Sequence, residues 1–158
     1  MRVLLTGAAG LVGRAAAPVL RAAGHVVIST DRPGPGAALD AEADLADAAQ
    51  AATLIGGGQF AAVVHAAAIP RPGQHPADVL LRNNLMATFN VIEACIGSGV
   101  HRLVNISSIG VLGLHYAQRR LLPKYLPIDD GSPAAATGSL RAGQAVRRAT
   151  VRRGRGAV

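Results

Sequence analysis

Aromatic residues are scarce in this 158-residue chain, which has two Phe, two Tyr and no Trp. Half of the residues are apolar, so the core of what reads as one domain must be packed from Ala, Val, Leu and Ile. Cysteine is nearly absent as well. Cys95 stands alone, which excludes a disulfide framework and any cysteine cluster with metal-ligand spacing. No apolar stretch approaches the ~20 residues that span a bilayer. The opening Met1-Arg2-Val3-Leu4-Leu5-Thr6-Gly7 turns to glycine too soon for the apolar region of a signal peptide. A soluble cytoplasmic protein with no membrane partner and no metal site is expected.

Acidic residues are missing from the C-terminal part, and this decides how the net charge of +7 is read. Residues 1–136 hold ten Lys/Arg against all nine Asp/Glu, and the remaining cations are Arg141, Arg147, Arg148, Arg152, Arg153 and Arg155. The basicity belongs to a tail while the body is nearly neutral. Six arginines supply electrostatics for nucleic acid but no aromatic stacking platform, so a nucleic-acid partner is not expected.

Apolar runs alternate with helical segments along the body. Strands are expected at Arg2–Thr6, His25–Thr30, Phe60–Ala66 and Arg102–Ser107. Helices are expected at Leu11–Ala23, closed by Gly24 and interrupted by Pro18, at Asp44–Ile55 before three glycines, and at Ala77–Ile96. Arg32-Pro33-Gly34-Pro35-Gly36 and Pro70–Pro76 read as loops. Such alternation predicts an α/β fold with βαβ crossovers, a Rossmann-type parallel sheet flanked by helices.

The chemistry-bearing segment is Thr6-Gly7-Ala8-Ala9-Gly10-Leu11-Val12-Gly13, which joins the first strand to the first helix. Gly7 permits the tight turn, Gly10 lets a pyrophosphate approach the backbone, and Gly13 allows close helix–strand packing. The helix N-terminus at Leu11 and Val12 offers N–H groups and the positive end of a dipole. A glycine-rich turn has no ligand by itself, but Asp31 closes the second strand 18 residues after Gly13, where an acid binds the adenosine ribose hydroxyls. A carboxylate there repels the 2′-phosphate of NADP and favours NAD. Arg32 beside it leaves NADP as the lesser alternative, because a guanidinium accepts phosphate.

Five ordered motifs over residues 1–133 resemble the extended short-chain dehydrogenase/reductase family, the NAD-dependent epimerase/dehydratase group. They are the glycine loop at Thr6–Gly13, the acid and small aliphatic at Asp44-Leu45, and His65-Ala66-Ala67-Ala68. The last two are the Asn-containing helix from Asn83-Asn84 to Asn90, and Val104-Asn105-Ile106-Ser107-Ser108-Ile109-Gly110. The resemblance implies that Asp44 and Leu45 flank the adenine ring, that Ala66, Ala67 and Ala68 line the cofactor site, and that Asn84 positions cofactor or an active-site water. His65 reads better as a packed core histidine than as a base. The substrate implied is a nucleotide sugar or related carbohydrate, and the family's dimer makes a homodimer an open expectation.

The family reaction is hydride transfer between a carbinol carbon and the nicotinamide. It uses Tyr as acid/base, Lys four residues later to lower its pKa, and Ser or Thr to hold the substrate oxygen. Ser108 matches the serine, with Ser107 as the neighbouring alternative. No Tyr-x-x-x-Lys occurs in the 158 residues, because the single lysine, Lys124, directly precedes Tyr125. Tyr116 has Arg120 four residues on, but it follows Ser108 too closely. By family order the pair falls near Thr137 and Arg141, and neither can substitute.

That loss coincides with a break in composition. Residues 134–158 contain seven Ala, six Arg and four Gly, with no acid, no aromatic and no proline. We expect a Rossmann domain at 1–133, incomplete at its C-terminal end, and a basic, disordered or frame-shifted tail at 134–158. A shifted reading frame or a gene cut short near Ala134 accounts for both features; a divergent but intended tail is the alternative. The functions expected are an epimerase, dehydratase or dehydrogenase with impaired catalysis, or a non-catalytic NAD(P)-binding module.

Overall fold

The structure is a computed structural model and describes residues 1–34, 38–70, 75–108, 112, 122–129 and 131–132. Its elements are β1 (Arg2–Thr6), α1 (Leu11–Ala22), β2 (Val26–Asp31), β3 (Ala41–Glu42), α2 (Ala48–Gly57), β4 (Ala62–His65), α3 (Ala77–Gly97) and β5 (Leu103–Asn105). The strands form one parallel sheet in the order β3-β2-β1-β4-β5. The order reverses between β1 and β4, the topological switch point at which open α/β sheets bind ligands. The α/β, Rossmann-type expectation holds.

Two compact units are distinguished, one of residues 1–69 with 86–106 and one drawn from 70–85 and from Ser107 onward. In the first unit both faces of the sheet are covered. Leu4 and Val63 pack with Ala51 and Ile55 of α2 and with Ala87, Val91 and Ala94 of α3. Leu5 and Val27 pack on the other face with Ala17 of α1. This double burial explains why β1 reads as an unbroken apolar run rather than an alternating one.

Element ends follow local chemistry. α1 runs through Pro18, ends on Ala23 and is closed by Gly24 at φ +79°. There Gly24 N–H donates to Arg21 O and His25 N–H to Leu20 O, a Schellman closure. The same pair of bonds closes α3 at Gly99 and Val100, onto Ile96 O and Cys95 O.

Two expectations need correction. α2 starts at Ala48 rather than Asp44, because Asp47 is the cap. Its Oδ1 accepts from Ala49 N–H at 2.8 Å and Gln50 N–H at 3.1 Å. Asp44 instead shapes the turn before the cap, accepting Ala46 N–H on Oδ1 at 2.9 Å. The four-strand reading also missed β3, a two-residue strand with no apolar alternation, created by pairing of Ala41 and Glu42 with Thr30 and Asp31.

Among the described residues no helix is long and apolar enough to cross a membrane. Val79, Met86, Phe89 and Ile96 of α3 are exposed although apolar.

Candidate functional site

The turn after β1 is built by steric necessity. Gly7 has φ +67°, and a Cβ there would stand 2.5 Å from Ala67 N and 2.7 Å from the carbonyl carbon of Ala66. The glycine loop is thus pressed against the chain leaving β4, which is why that segment is made of alanines. A Cβ on Gly13 would collide with Gly7 O and lie 2.5 Å from Ala8 Cα, so α1 approaches its own entry loop as closely as the backbone allows. Gly10 meets only Gly7 O, at 3.2 Å, and faces open space. It caps α1 without a side chain. Leu11 and Val12 at the start of α1 are exposed, and the first N–H groups of a helix have no intrahelical acceptor.

Asp31 stands beside this loop at the end of β2. Its Oδ2 accepts Ala9 N–H at 3.0 Å and its Oδ1 accepts Arg32 N–H at 2.9 Å. Each carboxylate oxygen has a second lone pair for a ligand hydroxyl. A cleft of about 570 Å³ opens here. Gly10, Asp31, Arg32 and Asp44 line it together with Ala9, Pro33, Gly34 and Leu39. Leu45 does not line the cleft, because its side chain is buried in the core with Ala43 and Ala51.

Leu39 is held by a clasp that sequence reading missed. Asp40 Oδ2 accepts Ser29 N–H at 2.8 Å and Ser29 Oγ–H at 2.6 Å. The hydroxyl bond, followed by the N–H bond, holds the Asp40 carboxyl below its ordinary pKa.

His65 is fully buried at the end of β4, with Nδ1 2.7 Å from Thr6 Oγ1 and Nε2 3.4 Å from Thr88 Oγ1. Thr6 Oγ1 also accepts Ala67 N–H at 3.3 Å. The simplest consistent arrangement has Thr6 donating to Nδ1 and the ring proton on Nε2. The histidine thereby joins β1, β4 and α3 beneath the half-buried Ala66, Ala67 and Ala68.

In the second unit, Asn84 is buried and its Oδ1 accepts from Asn83 Nδ2 at 3.2 Å. Ser107 is exposed and Ser108 half-buried. Tyr125 donates its phenol to Asp129 Oδ1 at 2.6 Å, which pushes the phenol pKa up and the carboxyl pKa down. Tyr116, Arg120, Thr137, Arg141 and the 134–158 tail lie outside the described residues. Among the described residues no three His, Cys, Asp or Glu converge as a metal-binding group.

The sequence model of the NAD-dependent epimerase/dehydratase family matches residues 3–135. The chain belongs to that family. No curated protein matches it. Among solved structures, a short-chain dehydrogenase/reductase superfamily protein from Agrobacterium tumefaciens with bound NAD is 26% identical, with a TM-score of 0.80 over 96% of this chain and 44% of that one. A mutated uronate dehydrogenase is 27% identical, with a TM-score of 0.76 over 94% and 52%. The Bordetella bronchiseptica enzyme WbmG, in complex with NAD and UDP, is 25% identical, with a TM-score of 0.79 over 96% and 49%. This epimerase/dehydratase-family chain spans about half the length of the structures it matches.

Proposed function

We propose that the chain binds NAD in the cleft between the glycine loop and β2, as the cofactor-binding part of an oxidoreductase acting on a nucleotide sugar or related carbohydrate. The observation that carries this is the Asp31 carboxylate, bonded to Ala9 N–H in the same cleft as Gly10 and Asp44. The residues fit the cofactor: Gly10 leaves room for pyrophosphate at the start of α1, and Asp31 offers lone pairs to ribose hydroxyls. Asp44 borders the adenine side. Ala66, Ala67, Ala68 and Asn84 are assigned to the nicotinamide side on the family motif. NAD is favoured over NADP because the Asp31 charge opposes a 2′-phosphate, and Arg32 offsets that only in part. The substrate class is supported by the uronate dehydrogenase and the UDP-bound enzyme to which the chain is similar.

The glycine loop and Asp31 would hold NAD, which would supply hydride exchange with a carbinol carbon of the substrate. Ser108 is assigned the task of holding the substrate oxygen by its hydroxyl. The hydroxyl proton needs an acid/base, and no Tyr-x-x-x-Lys is present in the 158 residues to supply one. This favours a second reading, a dinucleotide-binding module without turnover. The missing pair coincides with the composition break at Ala134. Calorimetry with NAD and NADP, followed by chromatography of a panel of nucleotide sugars and absorbance of the reduced nicotinamide, separates the two readings. NAD binding with neither sugar conversion nor net reduction supports the module, and sugar conversion or net NAD reduction supports the enzyme.

A homodimer contact is proposed on α3, supported only by the exposure of the apolar Met86, Phe89 and Ile96. Sedimentation of Phe89→Glu against the unmodified chain tests it; an unchanged monomeric profile in both contradicts it.

A further inference from the structure

The Asp44 wall of the cleft is held from behind by a residue that does not line the cleft. Asn90, 4% exposed on α3, donates from Nδ2 to Leu45 O at 3.0 Å and to Ala46 O at 3.0 Å. Its two amide hydrogens are thereby matched to two successive carbonyls of the turn. The reverse orientation would set Oδ1 against both, so the pairing itself assigns the amide.

These carbonyls precede the α2 cap at Asp47, beyond the reach of helical bonding, and Leu45 is buried. A carbonyl in that position needs a partner, and Asn90 is the side chain that brings one. The rest of the turn is tied inward. Asp44 N–H donates to Gln50 Oε1 at 2.9 Å, Asp47 N–H to Asp44 O at 3.0 Å, and Ala46 N–H to Asp44 Oδ1 at 2.9 Å. The last bond matters most, because the main chain that Asn90 grips is the main chain that aims the Asp44 carboxylate.

We infer that Asn90 is a positioning residue for the adenosine end of the cleft, acting through the 44–46 turn and touching no ligand itself. This rests on the cofactor reading above, which assigns Asp44 to the adenine side. Removing the amide frees the turn and lets Asp44 drift, while the glycine loop and Asp31 are left in place.

The test is calorimetry of AMP and NAD binding to the full chain and to Asn90→Ala, Asn90→Asp and Val91→Ala. Val91 is the neighbouring core residue, fully buried against the sheet, and reports what loss of packing in α3 does by itself. Asn90→Ala is expected to weaken AMP and NAD by the same factor, about tenfold for two lost hydrogen bonds. Asn90→Asp is expected to weaken them further, because it sets a carboxylate against two carbonyls. Val91→Ala is expected to stay within about twofold of the unmodified chain. Asn90→Ser, with a smaller change in volume, replaces the alanine variant if that one fails to fold, and is expected to lose at least about threefold. Unchanged affinities in the Asn90 variants, or an equal loss in Val91→Ala, overturn the positioning role alone. Failure of the unmodified chain to bind either ligand overturns the cofactor reading and this inference with it.

Discussion

Ala9 N–H and the Asp31 carboxylate meet at 3.0 Å, tying the glycine loop to the end of the neighbouring strand. The bond crosses the mouth of the candidate cleft, so loop position and acid position are one property. Asp31→Ala is expected to weaken NAD binding by about tenfold or more, through loss of a charge-assisted acceptor and of the loop tether. Asp31→Asn retains an acceptor for Ala9 but removes the charge, and is expected to narrow the preference for NAD over NADP. Titration of each variant with both dinucleotides checks this; an unaltered NAD affinity in Asp31→Ala contradicts it.

Glycine positions separate by what surrounds them. Gly13→Ala gains helix propensity of ~1 kcal/mol but drives a methyl into Gly7 O, an overpacking that costs about 1–3 kcal/mol or more. A net loss of stability is expected in urea unfolding. Gly57→Ala lies at the end of α2 with nothing within 4 Å of the added carbon, and is expected to be neutral or stabilising by up to ~1 kcal/mol. Equal effects at the two sites contradict the close approach of α1 to its loop.

Much of this architecture is legible in the residues themselves. β1 and the glycine loop show because their signals are local: a double-sided apolar strand, then glycines whose spacing matches one turn and one helix start. β3 is hidden because two residues carry no periodicity and pair only once β2 is in place. The start of α2 was recoverable, since Asp47 and Gln50 have capping-box spacing, but Asp44 offers a competing cap three residues earlier. Asn90 and Asp40 had no local signal. Their partners lie 44 or 45 and 11 residues away, and only the tertiary fold makes them neighbours.

Thr6 carries a buried bond to His65 and a part-buried one from Ala67 N–H, and so provides a sharp test of the His65 network. Thr6→Val keeps the shape but removes the partner of His65 Nδ1 and the acceptor of Ala67 N–H. Two polar atoms are left unsatisfied, and a destabilisation of about 2–4 kcal/mol is expected in urea unfolding. A change under ~0.5 kcal/mol shows that the network contributes no net stability.

Asp40 predicts an acid limb in stability. Ser29 bonds lower its folded pKa below the ordinary value of 3.8, so its contribution is fully present above that value. It is lost as pH falls through the lowered folded pKa. Urea midpoints are therefore expected to drop as pH falls below 3.8 and through the lowered folded pKa. Asp40→Asn is expected to show a shallower drop, with the residual slope due in part to Asp47, whose pKa is lowered by the Gln50 and Ala49 N–H groups. Parallel profiles in the two proteins contradict the clasp.

Asp31 and the glycine loop are expected to hold NAD in the cleft, and no Tyr-x-x-x-Lys occurs in the 158 residues. The most direct test is calorimetric titration of the full chain with NAD and NADP, followed by absorbance at the reduced-nicotinamide band with nucleotide sugars added. Saturable NAD binding, weaker NADP binding, no net reduction and, by chromatography of the added sugars, no conversion are predicted. Absence of NAD binding contradicts the cofactor site, and sugar conversion or net NAD reduction contradicts a module without turnover.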